Sequence, residues 1–219
     1  MDGAEETLVA MLKTVSSCSV STVLLKKGLR NAWVRGPKPL DFAQPRAVGR
    51  AFTMRFIPAR DDIKNPPVTR DVVEQMPAGA MVIADARGVT DVATFGDIVV
   101  TRIAKRGIAG IVTDGAVRDR NGLLATGLPI WCAGLTAPPP IAGHILAGSQ
   151  EPISCGGVTV YPDDVVLADA EGAVVIPAAL ADEVAKLAVE LEKEDERLLG
   201  EVRRGVPLSA LYPARKKNS

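Results

Sequence analysis

An arginine and an aspartate stand side by side at Arg118 and Asp119, after the apolar run from Ile108 to Val112 breaks into Thr-Asp-Gly-Ala-Val. Loops that follow the strands of an open α/β sheet usually carry the ligand-binding groups, because they can vary above a rigid edge. A guanidinium group binds a carboxylate through two parallel hydrogen bonds, and an aspartate supplies the hard oxygen atoms that Mg²⁺ or Mn²⁺ prefers. The pair therefore indicates a site for a small carboxylic acid bound together with a divalent cation.

A second candidate, Gly96-Asp97-Ile98-Val99, begins 22 positions before the arginine, where a helix is predicted to start. Free backbone N–H groups at the start of a helix bind anions, and a glycine lets a ligand approach the backbone closely. If the following strand returns alongside, one cleft holds the guanidinium group, the N–H groups and two carboxylates. A 2-oxo acid chelating a metal there would have its carbonyl polarised, and cleavage of the neighbouring C–C bond would leave an enolate whose charge the metal stabilises.

The same residues also have purely structural interpretations. An Arg-Asp pair after a strand can be a surface ion pair or a turn-capping aspartate, and Gly-Asp at a helix start is usually only a cap. Cys132, Cys155 and the single histidine, His144, could form a metal site, although "IWCAG" and "ISCGG" are typical of small buried thiols beside tight turns. Three widely spaced cysteines with no CxxC pair indicate neither a disulfide framework nor a zinc knuckle.

Bulk composition limits the class of protein. The chain has 219 residues, with 26 basic and 26 acidic side chains, so its zero net charge gives no reason to expect nucleic acid or an anionic membrane as a partner. The opening "MDGAEETLVAMLKTV" is acidic where a signal peptide would be basic, and no apolar run approaches the length that spans a bilayer. We therefore expect a soluble, cytoplasmic protein.

Hydrophobic periodicity predicts an α/β fold, with short linkers that favour one domain over residues 1–219. Helices are expected within 5–30, the second one starting at the Ser19-Ser21-Thr22 cluster, followed by a core over about 45–177 and a C-terminal helix over about 178–204. From residue 70, alternating helices and strands predict parallel pairing with crossover helices. The segment "GGVTVYPDDVVLADAEGAVVIP" predicts a meander of three antiparallel strands.

The combined motif "FGDIVVTRIAKRGIAGIVTDGAVRD" resembles the signature of the RraA-like family, which includes class II 4-hydroxy-4-methyl-2-oxoglutarate (pyruvate) aldolases and regulator of ribonuclease activity A-like proteins. The downstream "GLPIWCAG" and "ISCGGVTVYPDDVVLADAEGAVVIP" resemble the family as well, and the likeness covers about residues 45–190. It implies a swivelling β/β/α sandwich with a mixed sheet, crossover helices and a C-terminal helix. It also implies assembly as a homotrimer or a dimer of trimers.

The resemblance implies a role for each matching residue. Arg118 would bind the pyruvyl carboxylate together with the backbone N–H groups of Ile98 and Val99, next to Gly96. Asp119 would be the direct metal ligand, and Asp97 would hold metal-bound waters. The implied activity is that of a lyase dependent on Mg²⁺ or Mn²⁺, which cleaves 4-hydroxy-2-oxo acids to pyruvate and decarboxylates oxaloacetate. The alternative is a regulator that docks on ribonuclease E. Such a regulator has no physical need for the Arg-Asp pair or for Asp97.

One departure from the family pattern is Gly122, because the aldolases usually carry an acidic residue three positions after the aspartate of the pair. Asp114 is a candidate substitute. In the family, an acidic residue from a neighbour's C-terminal helix often completes the site, and the candidates here are Glu192, Glu194 and Glu196. A second substrate carboxylate could be bound by an arginine of the segment "RFIPARDDIKNPPVTRD", namely Arg55, Arg60 or Arg70.

Overall fold

The structure is a computed structural model that describes residues 3–60, 62 and 69–212. Its helices are α1 (Gly3–Leu12), α2 (Ser17–Lys26), α3 (Thr69–Val73), α4 (Asp97–Lys105), α5 (Arg120–Ala125), α6 (Ala181–Arg203) and α7 (Leu208–Leu211). Its strands are β1 (Trp33–Val34), β2 (Lys38–Pro39), β3 (Ala47–Pro58), β4 (Met81–Asp85), β5 (Ala93–Phe95), β6 (Gly110–Val117), β7 (Ile130–Leu135), β8 (His144–Ser149), β9 (Ile153–Cys155), β10 (Val158–Val160), β11 (Val165–Ala168) and β12 (Ala173–Ile176).

The main sheet is mixed, in the order β1-β12-β11-β3-β4-β6-β7-β2, with β5 paired to β6 and β8 paired to β3. The predicted parallel pairing is confirmed, because β3, β4, β6 and β7 run parallel and helices α3, α4 and α5 connect them. The long strand β3 joins two regions of the sheet. Its first half pairs antiparallel with β11, and its second half pairs with β4 and β8.

The parallel region is covered by α3, α4 and α5, and its core is apolar. Alternation along β3 places Phe52, Met54 and Phe56 on the face that carries this core. The ring of Phe56 meets that of Phe95 edge to face, with centroids 6.0 Å apart. Burial of these rings fixes the ends of β3 and β5 relative to each other.

The antiparallel region is covered by α1, α2 and α6. Leu12 and Leu24 from the first two helices and Val184 from α6 are fully buried against β11 and β12. The predicted start of α2 is wrong by a few residues, because the helix begins at Ser17 and the hydroxyl of Ser16 caps it by accepting the N–H of Ser19. The predicted C-terminal helix is present, preceded by a short 3₁₀ turn at Ala178–Leu180.

The predicted meander is wrong in one pairing: its three strands are present and β11 pairs antiparallel with β12, but β10 does not pair with β11. β9 and β10 form a separate two-stranded sheet, whereas β11 and β12 form a hairpin on the main sheet. The turn before β11 explains the separation, because the carboxylate of Asp164 accepts the N–H groups of Tyr161 and Ala178. The carbonyl of Asp164 in turn accepts the N–H of Ala51, which directs the chain onto β3 instead of back onto β10.

The predicted fold class is confirmed: a mixed, curled sheet with crossover helices and a C-terminal helix. The assignment of the whole chain to one domain stays a prediction. Among the described residues, no single helix is long and apolar enough to cross a membrane, and the pair α1 and α2, which meets the criterion together, is bent by 103°.

Candidate active site

A cleft of about 330 Å³ lies where β5 and β6 end. Its lining includes all of the residues predicted to act on the substrate or metal, which are Gly96, Asp97, Ile98, Val99, Arg118 and Asp119. Thr69, Thr94, Phe95 and Pro140 complete the wall. The fold therefore brings together two segments that are more than twenty positions apart in the chain.

The short strand β5 positions the first segment, and the sequence pattern did not predict it. β5 runs parallel to β6, with Phe95 opposite Val117, and the N–H of Arg118 donates to the carbonyl of Phe95 at 3.0 Å. This pairing places Gly96 beside the arginine. The two segments meet because both follow neighbouring parallel strands at the same sheet edge.

The start of α4 presents free backbone donors. Gly96 is its N-cap and offers no side chain to satisfy the first turn. The N–H of Val100 is bonded to the carbonyl of Gly96 at 3.1 Å, whereas those of Asp97, Ile98 and Val99 have no acceptor among the residues that the structure describes. Unsatisfied N–H groups at the start of a helix favour an anionic ligand.

The Arg118–Asp119 pair is incompletely satisfied. The Nε of Arg118 donates to Oδ2 of Asp119 at 3.0 Å, and the two side chains are 32% and 35% exposed. Within the described ranges, the two terminal nitrogens of the guanidinium group donate no hydrogen bond, and Oδ1 of the aspartate accepts none. Both groups therefore keep bonding capacity for a ligand.

The backbone of Asp119 is also unusual. It adopts the left-handed conformation, with φ 60° and ψ 44°, and its carboxylate makes no capping bond although the residue is the N-cap of α5. An aspartate at an N-cap normally accepts a backbone N–H of the first turn. Here the side chain faces Gly96 and the cleft instead. Arg87, Gln150 and Asp163 also have positive φ, so the carboxylate left unused by the helix, and not the conformation alone, distinguishes Asp119.

Two glycines allow the two segments to interlock. A Cβ atom at Gly96 would lie 2.9 Å from Oδ2 of Asp119 and 3.3 Å from Cγ of Arg118. A Cβ atom at Gly122 would lie 2.6 Å from both Cβ and Oδ2 of Asp97. Each glycine thus makes room for the carboxylate of the other segment, and the departure at position 122 has a steric explanation: a side chain there collides with Asp97.

The suggestion that Asp114 replaces a carboxylate at position 122 is wrong. Asp114 lines a different cavity, together with Asp85 and Arg87, and is buried. Its oxygens accept the N–H groups of Ala86 at 2.7 Å and Gly156 at 3.0 Å. Burial raises the pKa of Asp114, and these two hydrogen bonds oppose the rise only in part. The residue ties two turns together and does not face Asp97.

The buried cysteines fit their structural interpretation. Burial raises the pKa of Cys132 to about 11 and that of Cys155 well above its usual range, so both are held as thiols. The Sγ of Cys155 contacts the carbonyl oxygen of Ala84 at 3.6 Å. His144 is buried as well, with its ring centroid 6.2 Å from that of Phe56.

The three glutamates proposed to complete a neighbour's site differ in their surroundings. Oε1 of Glu192 accepts both the hydroxyl of Ser16 at 2.6 Å and its N–H at 2.7 Å, so this carboxylate already braces α2 against α6. Glu194 forms a two-point ion pair with Arg197. Glu196 is the one of the three that has no hydrogen-bond or ion-pair partner in the described part of the chain.

The arginines proposed for a second substrate carboxylate are engaged elsewhere. Arg55 pairs with Glu151 at 3.3 Å and also donates to the carbonyl of Pro152. Arg60 and Arg70 pair with nearby aspartates of their own segment, and neither lines the cleft. The structure does not bring any of these three arginines to the site. The remainder of their segment, residues 61 and 63–68, lies outside the described residues.

Comparison with known proteins identifies the family. A model of the RraA-like family, described as Aldolase/RraA, matches residues 17–175. A Halalkalibacterium halodurans protein named "Putative 4-hydroxy-4-methyl-2-oxoglutarate aldolase" is 33% identical over 199 residues, which cover 90% of this chain and 89% of that protein. A Deinococcus radiodurans protein of the same name is 29% identical over 161 residues, which cover 73% and 96%.

A solved structure agrees with these relatives. It is that of Streptomyces coelicolor RraAS2, described as an unusual member of the RNase ES inhibitor RraA protein family. It is 33% identical, with a TM-score of 0.80, and the match covers 90% of this chain and 96% of that one. The chain therefore belongs to the RraA-like family and has its fold, as the sequence motif predicted.

Proposed function

We propose that this protein is a divalent-metal-dependent lyase that cleaves 4-hydroxy-2-oxo acids, such as 4-hydroxy-4-methyl-2-oxoglutarate, to pyruvate and also decarboxylates oxaloacetate. One observation carries the proposal: unsatisfied N–H groups, a guanidinium group and two carboxylates line the same cleft. The similarity to proteins named as aldolases supports it.

The substrate's carboxylate is bound by the cationic side of the cleft. Arg118 holds its orientation through the Nε bond to Asp119, which leaves its two terminal nitrogens to form a bidentate pair with a carboxylate. The N–H groups of Ile98 and Val99 supply further donors at the start of α4. These groups orient the 2-oxo acid end of the substrate.

The two aspartates fit a hard divalent cation. Asp97 accepts no hydrogen bond within the described residues, and Asp119 has one oxygen without a donor. Mg²⁺ and Mn²⁺ often keep several waters beside one or two carboxylates, which is the number of carboxylates that this cleft offers. An ion bound by Asp119 would polarise the substrate's 2-oxo group and stabilise negative charge on its oxygen.

The same set limits how protons are handled. The described residues that line the cleft include no histidine, lysine or cysteine. Its candidate groups for proton transfer are therefore the carboxylates of Asp97 and Asp119. Since Asp119 is paired with Arg118, the free carboxylate of Asp97 is the group that can accept the 4-hydroxyl proton, directly or through one water.

A regulator that docks on a ribonuclease is the rival function, and the similarity to RraAS2 supports it. A docking surface has no use for an aspartate held in the left-handed conformation beside a free guanidinium fork. For this reason the enzyme is the stronger proposal.

The proposed assembly is a homotrimer or a dimer of trimers. Ile98 and Ile141 are 84% and 86% exposed, next to or within the cleft wall, and large exposed apolar side chains mark interaction surfaces. A neighbouring subunit that covers them would also bring an acidic side chain to the cleft. Glu196 is the candidate whose carboxylate is available for this, because it has no partner among the described residues of its own chain.

Pyruvate release from oxaloacetate and from 4-hydroxy-4-methyl-2-oxoglutarate, measured with Mg²⁺ and with EDTA, tests the proposal. We expect activity that EDTA abolishes and Mg²⁺ restores. Asp119→Ala should lower kcat by at least about a hundredfold, more than the loss of a group that only supports a metal ligand, while the exposed control Asp182→Ala retains activity. No pyruvate release in the wild type would favour the docking protein, and equal rates with EDTA would contradict the proposed metal dependence.

A further inference from the structure

A second cleft, of about 420 Å³, adjoins the active site at the Arg118–Asp119 pair. The pair lines both clefts. The other residues of the second cleft are Val117, Arg120, Leu135, Thr136 and Ala137, which come from the end of β6, the start of α5 and the end of β7. The two clefts therefore meet at the guanidinium group and the proposed metal ligand.

Arg120 is the distinctive side chain of the second cleft. It is exposed, and its hydrogen bonding is limited to one long contact of 3.4 Å, from Nη2 to the carbonyl oxygen of Leu40. It has no carboxylate within salt-bridge distance among the residues that the structure describes. A contact of that length contributes little, so the side chain can turn towards a ligand at small cost.

Arg120 differs from the other candidate arginines in having no acidic partner among the described residues, and not only in being exposed. Acidic partners neutralise the three arginines that were predicted as candidates to bind a second substrate carboxylate, which are Arg55, Arg60 and Arg70. Arg120 follows the proposed metal ligand directly and has none. Among the described residues, it is therefore an unneutralised cation beside the active site.

The charge of the second cleft defines the ligand that fits it. Arg118 and Arg120 contribute two positive charges against the single carboxylate of Asp119, and the remaining wall includes the apolar side chains of Leu135 and Ala137. A short carbon chain that ends in a carboxylate matches this surface, because guanidinium groups recognise planar carboxylates through paired hydrogen bonds.

We propose that Arg120 binds the distal carboxylate of a dicarboxylic 2-oxo acid and so makes the site selective for substrates that carry a second carboxylate. The inference rests on the proposed function, since it places the 2-oxo acid end at Arg118 and directs the far end past Asp119. Arg120 is a specificity residue here; the chemistry at the 2-oxo group belongs to the first cleft.

Turnover of paired substrates tests the inference. In Arg120→Ala, kcat/KM for 4-hydroxy-4-methyl-2-oxoglutarate should fall about tenfold to a hundredfold, mainly through KM, which is the scale of a lost charge-assisted hydrogen bond. For 4-hydroxy-2-oxopentanoate, which has no distal carboxylate, kcat/KM should stay within about twofold of wild type, because the substitution removes no contact that this substrate makes. Arg120→Lys should recover part of the loss. Arg70→Ala removes an exposed cation that lines neither cleft and should leave both values unchanged.

Binding measurements separate this inference from the proposed function. With Mg²⁺ present, calorimetry compares 2-oxoglutarate, which has a distal carboxylate but no 4-hydroxyl group to cleave, with pyruvate. Arg120→Ala should weaken only 2-oxoglutarate binding. Equal weakening of both ligands, or of neither, overturns the role of Arg120 even if the wild type is an active lyase. A wild type that binds 2-oxoglutarate through Arg120 but releases no pyruvate upholds the subsite and overturns the lyase; one that binds neither ligand overturns both.

Discussion

A carboxylate of the antiparallel region and those of the active-site cleft differ in how fully their neighbours satisfy them. In the antiparallel region, Asp169 accepts the N–H of Ser17 at 2.7 Å, the hydroxyl of Ser17 at 2.8 Å and the N–H of Glu171 at 3.1 Å. In the cleft, Asp97 accepts none from the described residues, and Asp119 accepts only the Nε of Arg118. Carboxylates of the first kind hold chain segments together, whereas those of the second keep the capacity to bind a cation or a proton.

The backbone shows the same difference. Ser16 caps α2 in the ordinary extended conformation and uses its hydroxyl to do so. Asp119 stands at the equivalent position of α5 in the left-handed conformation and leaves the helix uncapped. The start of α2 therefore follows the rule that stabilises a helix end, and the start of α5 departs from it at a residue proposed to do chemistry, as expected where function competes with stability.

The largest effect on activity is expected from moving a carboxylate from position 97, at the start of α4, to position 122 in α5. Gly122→Asp should lower activity by at least about a hundredfold, because the new side chain overlaps Asp97 and displaces a catalytic carboxylate. Asp97→Gly alone should also be weakly active, whereas the double variant removes the collision and restores one carboxylate. Activity of the double variant above that of both single variants, measured as kcat/KM for oxaloacetate, would show that the two positions share one space. Gly200→Asp, at a glycine with nothing near its Cβ position, serves as the control.

An intermediate effect, on stability alone, is expected from the satisfied carboxylate. Asp169→Ala leaves the N–H and hydroxyl of Ser17 without their acceptor in a buried setting. It should lower the free energy of unfolding by about 2–4 kcal/mol. Asp97→Ala, in contrast, should change stability by less than about 0.5 kcal/mol while lowering activity. Urea unfolding of the two variants measures the difference, and equal losses of stability would contradict the proposed division between the two kinds of carboxylate.

The smallest effect should come from Glu192, where a carboxylate braces two helices. Burial disfavours its charged form, but the hydroxyl and N–H of Ser16 and the hydroxyl of Ser19 outweigh burial and lower the pKa of Glu192. A lowered pKa in the folded state adds stability that is present above the unfolded-state pKa and is lost as pH falls through the folded-state pKa. Glu192→Gln should cost about 1 kcal/mol at neutral pH and should make the decline of stability below about pH 4.3 shallower than in wild type. Unfolding measured from pH 7 to pH 3 tests both, and a parallel pH profile would contradict this account.

Local pattern was sufficient to predict those elements of the fold whose own sequence determines them. The stripe of apolar residues along α6 and the strand–helix alternation from α3 to β7 predicted helix positions and parallel pairing, because burial selects one helical face and crossovers impose one strand direction. The Gly-Asp and Arg-Asp segments were also predicted to meet, since both follow strands that end at the same edge. Their chemical roles stay predictions.

Other features depend on partners that lie far away in the chain. β5 is three residues long and exists through its pairing with β6, and no pattern of that length identifies a strand. The packing of α4, α5 and β6 decides three further features. Gly122 makes room for Asp97, Asp114 faces another cavity, and Arg120 lacks a carboxylate partner in the described structure. By itself the sequence determined which residue types stand at the sheet edge, because that depends on local periodicity. Only the tertiary structure decided which of their charges are neutralised, because a charge is neutralised by whatever side chain or N–H group folding brings within a few ångströms.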